Sequence, residues 1–248
     1  MHKPIAELKD QFKGQDIFVI GSGASLDCYP RNFFEGRIMI GSNLMWGYLD
    51  LAYCVFTHKP IFASSLDYTK CVVAEFDPAE QSMTPNEIES EHMYWTFKNG
   101  IYRGFEKNLE MVGDGEHLCM GNTVITLGIE LAAFLGAHTI FLVGVDCAVI
   151  ENALAIRGYY EHQAPLYEQV KGQEEASRIY WGDMFLRNIK EISMLREKIM
   201  ARYGCPVVSL SPFVGLKQEN KLIIDNMNMR DFLGLREMQP AIAPKEKA

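Results

Sequence analysis

The chain has 248 residues, 48% hydrophobic and 23% charged, which excludes a disordered or collagen-like polymer and leaves room for one large core. Its net charge of −8 argues against general nucleic-acid binding, which needs basic surface to neutralise phosphates. The six cysteines (Cys28, Cys54, Cys71, Cys119, Cys147, Cys205) contain no Cys-x-x-Cys pair, so reduced thiols are expected rather than a metal finger or redox motif.

Residues 1–8 lack the apolar stretch of a secretion signal, and no apolar run reaches membrane-span length. A cytoplasmic protein is expected, free or peripheral to the inner membrane, with no stable insertion. Residues 5–12 read as a short amphipathic helix. Residues 16–20 are apolar, rich in β-branched side chains and followed by Gly21, as in a strand buried on both faces of a parallel sheet. Residues 37–41 and 51–57 repeat that pattern, and 70–74 form a candidate fourth strand. From 77 to 115 periodicity weakens, and an irregular insertion with short helices, a lid, is expected. Residues 123–135 predict a helix stopped by Gly136, and 139–146 the clearest strand. Residues 148–178 are mixed, a second candidate lid. Residues 184–203 predict a long amphipathic helix with Ile189, Ile192, Leu195 and Ile199 on one face, and 205–212 a last strand. The tail 241–248 reads as frayed. The alternation predicts one α/β domain over 1–240, Rossmann-like, with a mostly parallel sheet and helices on both faces.

Four motifs carry chemistry. Gly21-Ser22-Gly23-Ala24-Ser25-Leu26 follows the first core strand, where glycines allow close backbone approach and amides and hydroxyls can face a phosphate. Leu26 breaks the dinucleotide fingerprint, and no Gly-Lys-Ser/Thr follows as in a Walker loop. A nucleotide turn is favoured over a plain βα turn. Asn43, in Gly41-Ser42-Asn43, could read a base or ribose edge, or cap the next helix. Gly121-Asn122-Thr123 opens a helix whose free amides favour an anion. Asp146 could bind a ribose hydroxyl or hold a neighbouring loop, the second slightly favoured. In Tyr180-Trp181-Gly182-Asp183, Asp183 could be a general base or the N-cap of the following helix, and the sequence leaves both open.

These segments, in this order, resemble the bacterial sialyltransferases that use CMP-sialic acid, with the related lipopolysaccharide Kdo transferases and archaeal pterin pyrophosphokinase-like proteins. The shared pattern is a strand, Gly-x-Gly-Pro-Ser-Leu, a strand ending in Asn, and Gly-Ser/Asn opening a helix into Leu-Gly-x-x-x-Ile-x-Leu-x-Gly-x-Asp. Here it reads Gly21-Ser22-Gly23-Ala24-Ser25-Leu26, Gly41-Ser42-Asn43, Gly121-Asn122-Thr123, and Leu135-Gly136 through Gly144-Val145-Asp146. The resemblance implies that the Ser25 turn, Asn43 and the Gly121-Asn122 turn hold a cytidine nucleotide. It further implies that no metal or other cofactor is used and that tyrosine hydroxyls, Tyr159 and Tyr160 here, steady the leaving phosphate.

The family's Tyr-x-Gly-His becomes Tyr180-Trp181-Gly182-Asp183, so the base is Asp183 or else His162, and Ala24 replaces the usual Pro. The function implied is inverting transfer of a CMP-activated acidic sugar, such as sialic acid or Kdo, to a hydroxyl of a glycan or other acceptor. A homo-oligomer is allowed, and a nucleic-acid acceptor is disfavoured by the charge. Two alternatives stand beside it. One is a pyrophosphokinase acting on a pterin-like substrate, although its Thr-Asp-Leu-Asp-Gly stretch is absent and Thr57-His58-Lys59-Pro60 stands in its place. The other is a nucleotide-binding subunit without catalysis.

Overall fold

The computed structural model describes residues 3–56, 67–75, 94–97, 105–113, 115, 118–147 and 174–210. Eight strands are present among them: β1 (Lys3–Pro4), β2 (Ile17–Ile20), β3 (Ile38–Ser42), β4 (Tyr53–Phe56), β5 (Cys71–Glu75), β6 (Tyr94–Phe97), β7 (Ile140–Val143) and β8 (Val207–Ser209). They form one sheet in the order β1-β6-β5-β4-β3-β2-β7-β8, and every pairing is parallel. The α/β, Rossmann-like expectation holds. From β2 the chain builds outward through β3, β4, β5 and β6 on one side, then returns to β2's other edge with β7 and β8. The strand order therefore reverses between β2 and β7, which is where open parallel sheets leave a crevice at their carboxyl ends.

Alternate side chains of each strand feed two separate cores, as the two-residue strand repeat requires. On one face Ile17, Val19, Ile40, Val55, Val72, Ile140 and Leu142 pack with the helices α2 (Val124–Phe134) and α3 (Glu174–Tyr203). On the other, Phe18, Ile20, Met39, Cys54, Phe56 and Val143 meet Leu26, Tyr29, Phe33, Phe34, Met45 and Tyr48. Those partners come from 3-10 helices at Ala24–Cys28, Arg31–Phe34 and Asn43–Gly47 and from the residues just after them. So both faces are covered, but among the described residues the longer α-helices lie on one face and short 3-10 turns on the other. Aromatic packing compensates for the missing helix length: Phe18 stacks on Phe141 at 5.0 Å, and the Arg37 guanidinium lies 4.3 Å from the Phe33 ring centre.

α2 is the central helix, with every residue from Ile125 to Phe134 buried. Thr123 caps it by accepting the Ile125 N–H, and Gly136 at φ +88° ends it, Ala137 N–H reaching back to Ala132 O at 3.2 Å. Both ends are where the sequence places them.

Three expectations need correction. Residues 5–12 do not form an amphipathic helix. A 3-10 turn at Ile5–Leu8 is followed by Asp10 at φ +59°, which a helix cannot continue through. The interval 77–115 is not a purely irregular insertion, since β6 is a strand of the sheet between β5 and β1, and α1 (Phe105–Asn108) is one short helical turn. Tyr94-Trp95-Thr96-Phe97 is all aromatic or β-branched, but four residues are too few to show a period. Third, the long helix begins at Glu174 rather than at 184, absorbing residues 174–178 of the second candidate lid.

Candidate functional site

β2, β3 and β7 are in register to their ends, with Ile20 level with Gly41 on one side and Val143 on the other. Their following turns therefore converge. With the start of α2 and one wall of α3 they enclose a cleft of about 160 Å³, lined by the Gly21, Ser22 and Gly23 turn, Ser42, Asn43, Thr123 to Ile125, Gly144 to Cys147, Met184, Phe185, Asn188 and Ile192.

The glycines serve loop-to-loop contact before any ligand. Gly21 N–H donates to Val143 O at 2.8 Å and Gly23 N–H to Gly144 O at 2.7 Å, so these two amides are engaged within the protein. A Cβ at Gly23 would come 2.5 Å from Asp146 Oδ2, and one at Gly21 would strike Gly144 O. Ser25 is fully buried. It gives its amide to Asp146 Oδ2 at 2.7 Å and its hydroxyl to Asp146 Oδ1 at 2.5 Å. The expectation that Ser25 faces a nucleotide is thus not met: its hydroxyl ties the β2 turn to the β7 turn. Asp146 takes the loop-holding role considered for it, although it also lines the cleft.

Ser22, between the two glycines, lines the cleft with no protein partner for its hydroxyl among the described residues. Asn43 lines it too, at φ +51°, a left-handed conformation that Asn tolerates better than most residues. Its carbonyl receives the Cys54 thiol at 3.4 Å, and no described residue bonds its carboxamide. Thr123 and Val124 bring the amino end of α2 to the same place; Thr123 takes up the Ile125 and Thr126 amides, and the helix dipole supplies about half a positive charge there.

Gly121 and Asn122 do not line the cleft. Asn122 gives its backbone N–H to Glu191 Oε2 at 2.8 Å and its carboxamide to Glu191 Oε1 at 2.5 Å, while Gly121 N–H goes to Thr126 Oγ1 at 2.8 Å. A Cβ on Gly121 would collide with the Glu191 carboxylate. The turn expected to hold a nucleotide instead clamps α3 to α2, which correctly locates the amino end of α2 but not the turn's partner.

Asp183 is the tenth residue of α3, in its interior, so the N-cap alternative does not hold. By helical spacing, position 183 shares a row with Arg187 and Lys190, both exposed, rather than with Met184, Phe185, Asn188 and Ile192. Tyr159, Tyr160 and His162 lie outside the described residues.

Three polar residues not singled out from the sequence matter here. Glu191 is buried, and burial raises its carboxyl above the ordinary value despite the two Asn122 bonds and the nearby Arg187 and Lys190 charges. Glu130, fully buried in α2, accepts the amides of Gly113 and Cys119 and so pins the chain that leads into the Gly121 turn. Asn188 lines the cleft with its Oδ1 buried and unbonded. The available signal was an acid or amide set in or beside an otherwise apolar helical stripe. At the cleft's edge, burial and then the neighbouring Asp146 push the Cys147 thiol up to about 12, which keeps it protonated at neutral pH.

Among the described residues no three His, Cys, Asp or Glu side chains gather as a metal cage, and no helix is long and apolar enough to cross a membrane. The chain matches none of the protein families, curated proteins or solved structures with which it was compared.

Proposed function

We propose that the cleft binds a cytidine nucleotide joined to an acidic sugar, and that the protein transfers the sugar to an acceptor hydroxyl with inversion. The observation that carries this reading is the convergence of Ser22, Asn43, Thr123 and the amino end of α2 at the point where the strand order reverses. Hydroxyls and a carboxamide can donate there beside the positive end of the α2 dipole, and their combined field suits a single negative charge. A CMP-sugar presents that charge as one phosphodiester, whereas a diphosphate carries at least two.

Transfer then needs a base to take the acceptor's proton while its oxygen attacks the anomeric carbon. The new carbon–oxygen bond forms as the bond to the phosphate oxygen breaks, and CMP leaves as an anion steadied by the positive end of the α2 dipole. Position 183 shares the row of exposed Arg187 and Lys190, so this proposal gives the base role to His162.

Isothermal titration with CMP, UDP, GDP and ATP tests the binding step, and product analysis with CMP-sialic acid and CMP-Kdo tests the transfer. Preferential CMP binding with release of CMP from one of the sugars supports the reading. Tight CMP binding without transfer or hydrolysis would make the chain a nucleotide-binding subunit, and preferential ATP binding would favour the pyrophosphokinase alternative.

A further inference from the structure

The apolar stripe that α3 buries does not stop at the core. Ile189, Ile192, Leu195 and Ile199 are at most 2% exposed. Phe185 lies one turn before Ile189 and two before Ile192, so it continues their row. Yet Phe185 and its neighbour Met184 are only half-buried, and both line the cleft. The helix face that fills the core thus becomes a cleft wall that solvent reaches. Leu186 is 53% exposed but lies off the cleft, and a single exposed apolar side chain of that kind carries no signal. What sets Phe185 apart is the company of Ser22, Asn43 and the amino end of α2 in one cleft. Among the described lining residues there is no Lys, Arg or His, and the one carboxylate, Asp146, is 3% exposed and bonded to Ser25.

We infer that the cleft holds its ligand chiefly through an uncharged flat ring, the base of the nucleotide, laid against Phe185 beside Met184. The inference rests on the nucleotide reading of the cleft and adds a division of labour within it. Ser22, Asn43 and the α2 dipole meet the phosphate, and the α3 wall takes the base. An aromatic ring and a thioether both pack on the π-face of a base, whatever its hydrogen-bond pattern. The phosphate, met by hydroxyls and a dipole without a cationic side chain, adds no more than about tenfold to the affinity. The nucleoside supplies the rest.

Isothermal titration of wild type with cytidine and with CMP tests this without any variant. Cytidine is expected to bind within about tenfold of CMP, and a wider gap overturns the inference while leaving the nucleotide site standing. Two variants then test the wall itself. Phe185→Leu keeps apolar bulk and removes the ring, and it should weaken cytidine and CMP alike by about tenfold, leaving their ratio unchanged. Phe185→Tyr keeps the ring and should stay within about threefold of wild type on both ligands.

Unchanged CMP affinity in F185L sinks the inference, as does a loss for CMP that cytidine does not share. An F185Y as weak as F185L would mean that the ligand does not use the ring, with the same result. Should F185L fail to fold, the wild-type comparison and F185Y still decide. Failure of wild type to bind either cytidine or CMP removes the proposed function, and the role of Phe185 with it.

Discussion

Gly144 carries a steric demand that explains why the β2 and β7 turns are glycine-rich. Its φ is +65°, and a Cβ there would lie 2.6 Å from Leu26 Cγ and 2.9 Å from Gly21 O. Gly36 has nearly the same φ, +69°, but open space around it. The pair separates backbone strain from collision. Gly36→Ala should cost about 1 kcal/mol, the left-handed penalty alone. Gly144→Ala should cost roughly 2 kcal/mol or more, since overpacking adds to it. Urea unfolding measures both, and equal losses would show that the loop contact contributes nothing. The proposed chemistry makes a second residue-scale prediction. Asp183→Asn should keep transfer within about threefold of wild type, while His162→Asn should lower it by roughly a hundredfold or more, the usual worth of a general base. Steady-state turnover at saturating CMP-sugar decides between them, and a collapse in D183N alone would return the role to Asp183.

At the scale of elements, the cleft's geometry depends on how α3 is fastened. Glu191 holds the Asn122 amide and carboxamide, while Asn188 one turn before it and Ile192 next to it line the cleft. Because burial raises the Glu191 carboxyl above its ordinary 4.5, the folded protein holds that proton more tightly than the unfolded chain. Its contribution to stability is full below the ordinary value and is lost as pH rises through the raised one. Glu191→Gln cannot ionise, so the melting temperature of wild type minus that of E191Q should fall steadily from about pH 4 toward neutrality. A difference that stays flat, or grows, would mean that the carboxylate is better solvated than its burial implies.

The element scale is also where the sequence was most and least readable. Strands β2, β3, β4 and β7 announced themselves because both faces are buried, leaving unbroken apolar runs such as Ile17-Phe18-Val19-Ile20. β6 at the far side of the sheet, and the two-residue β1 paired to it, are too short to carry a period. The 3-10 turns that cover the second face had no signature, since their order comes from Tyr29, Phe33 and Phe34 packing together. Ser22, Asn43 and Thr123 could be found because they follow strands or open a helix. Glu191 stood out only as an acid beside an apolar helical stripe, and its partner Asn122 lies far back along the chain.

Considered whole, the molecule places its candidate site where chain order and spatial order disagree. Turns after residues 20, 42 and 143 meet because β3 and β7 flank β2 on opposite sides, and α2 and α3 pack on one face of the same strands. A ligand there touches segments from Gly21 to Ile192, so it cannot be bound by a partly unfolded chain that has lost any one of them. Binding should then stabilise the protein as a unit. At about a hundred times its dissociation constant CMP would add about 2.7 kcal/mol. For a chain of this size each kcal/mol moves the melting point by about 2–4 °C, so the expected rise is about 5–10 °C. Hydrogen exchange should slow together in the β2, β3 and β7 turns and the first turn of α2. Protection confined to one loop, with an unmoved melting curve, would mean that the ligand rests on a single turn and that the convergence of strand ends is a feature of packing alone.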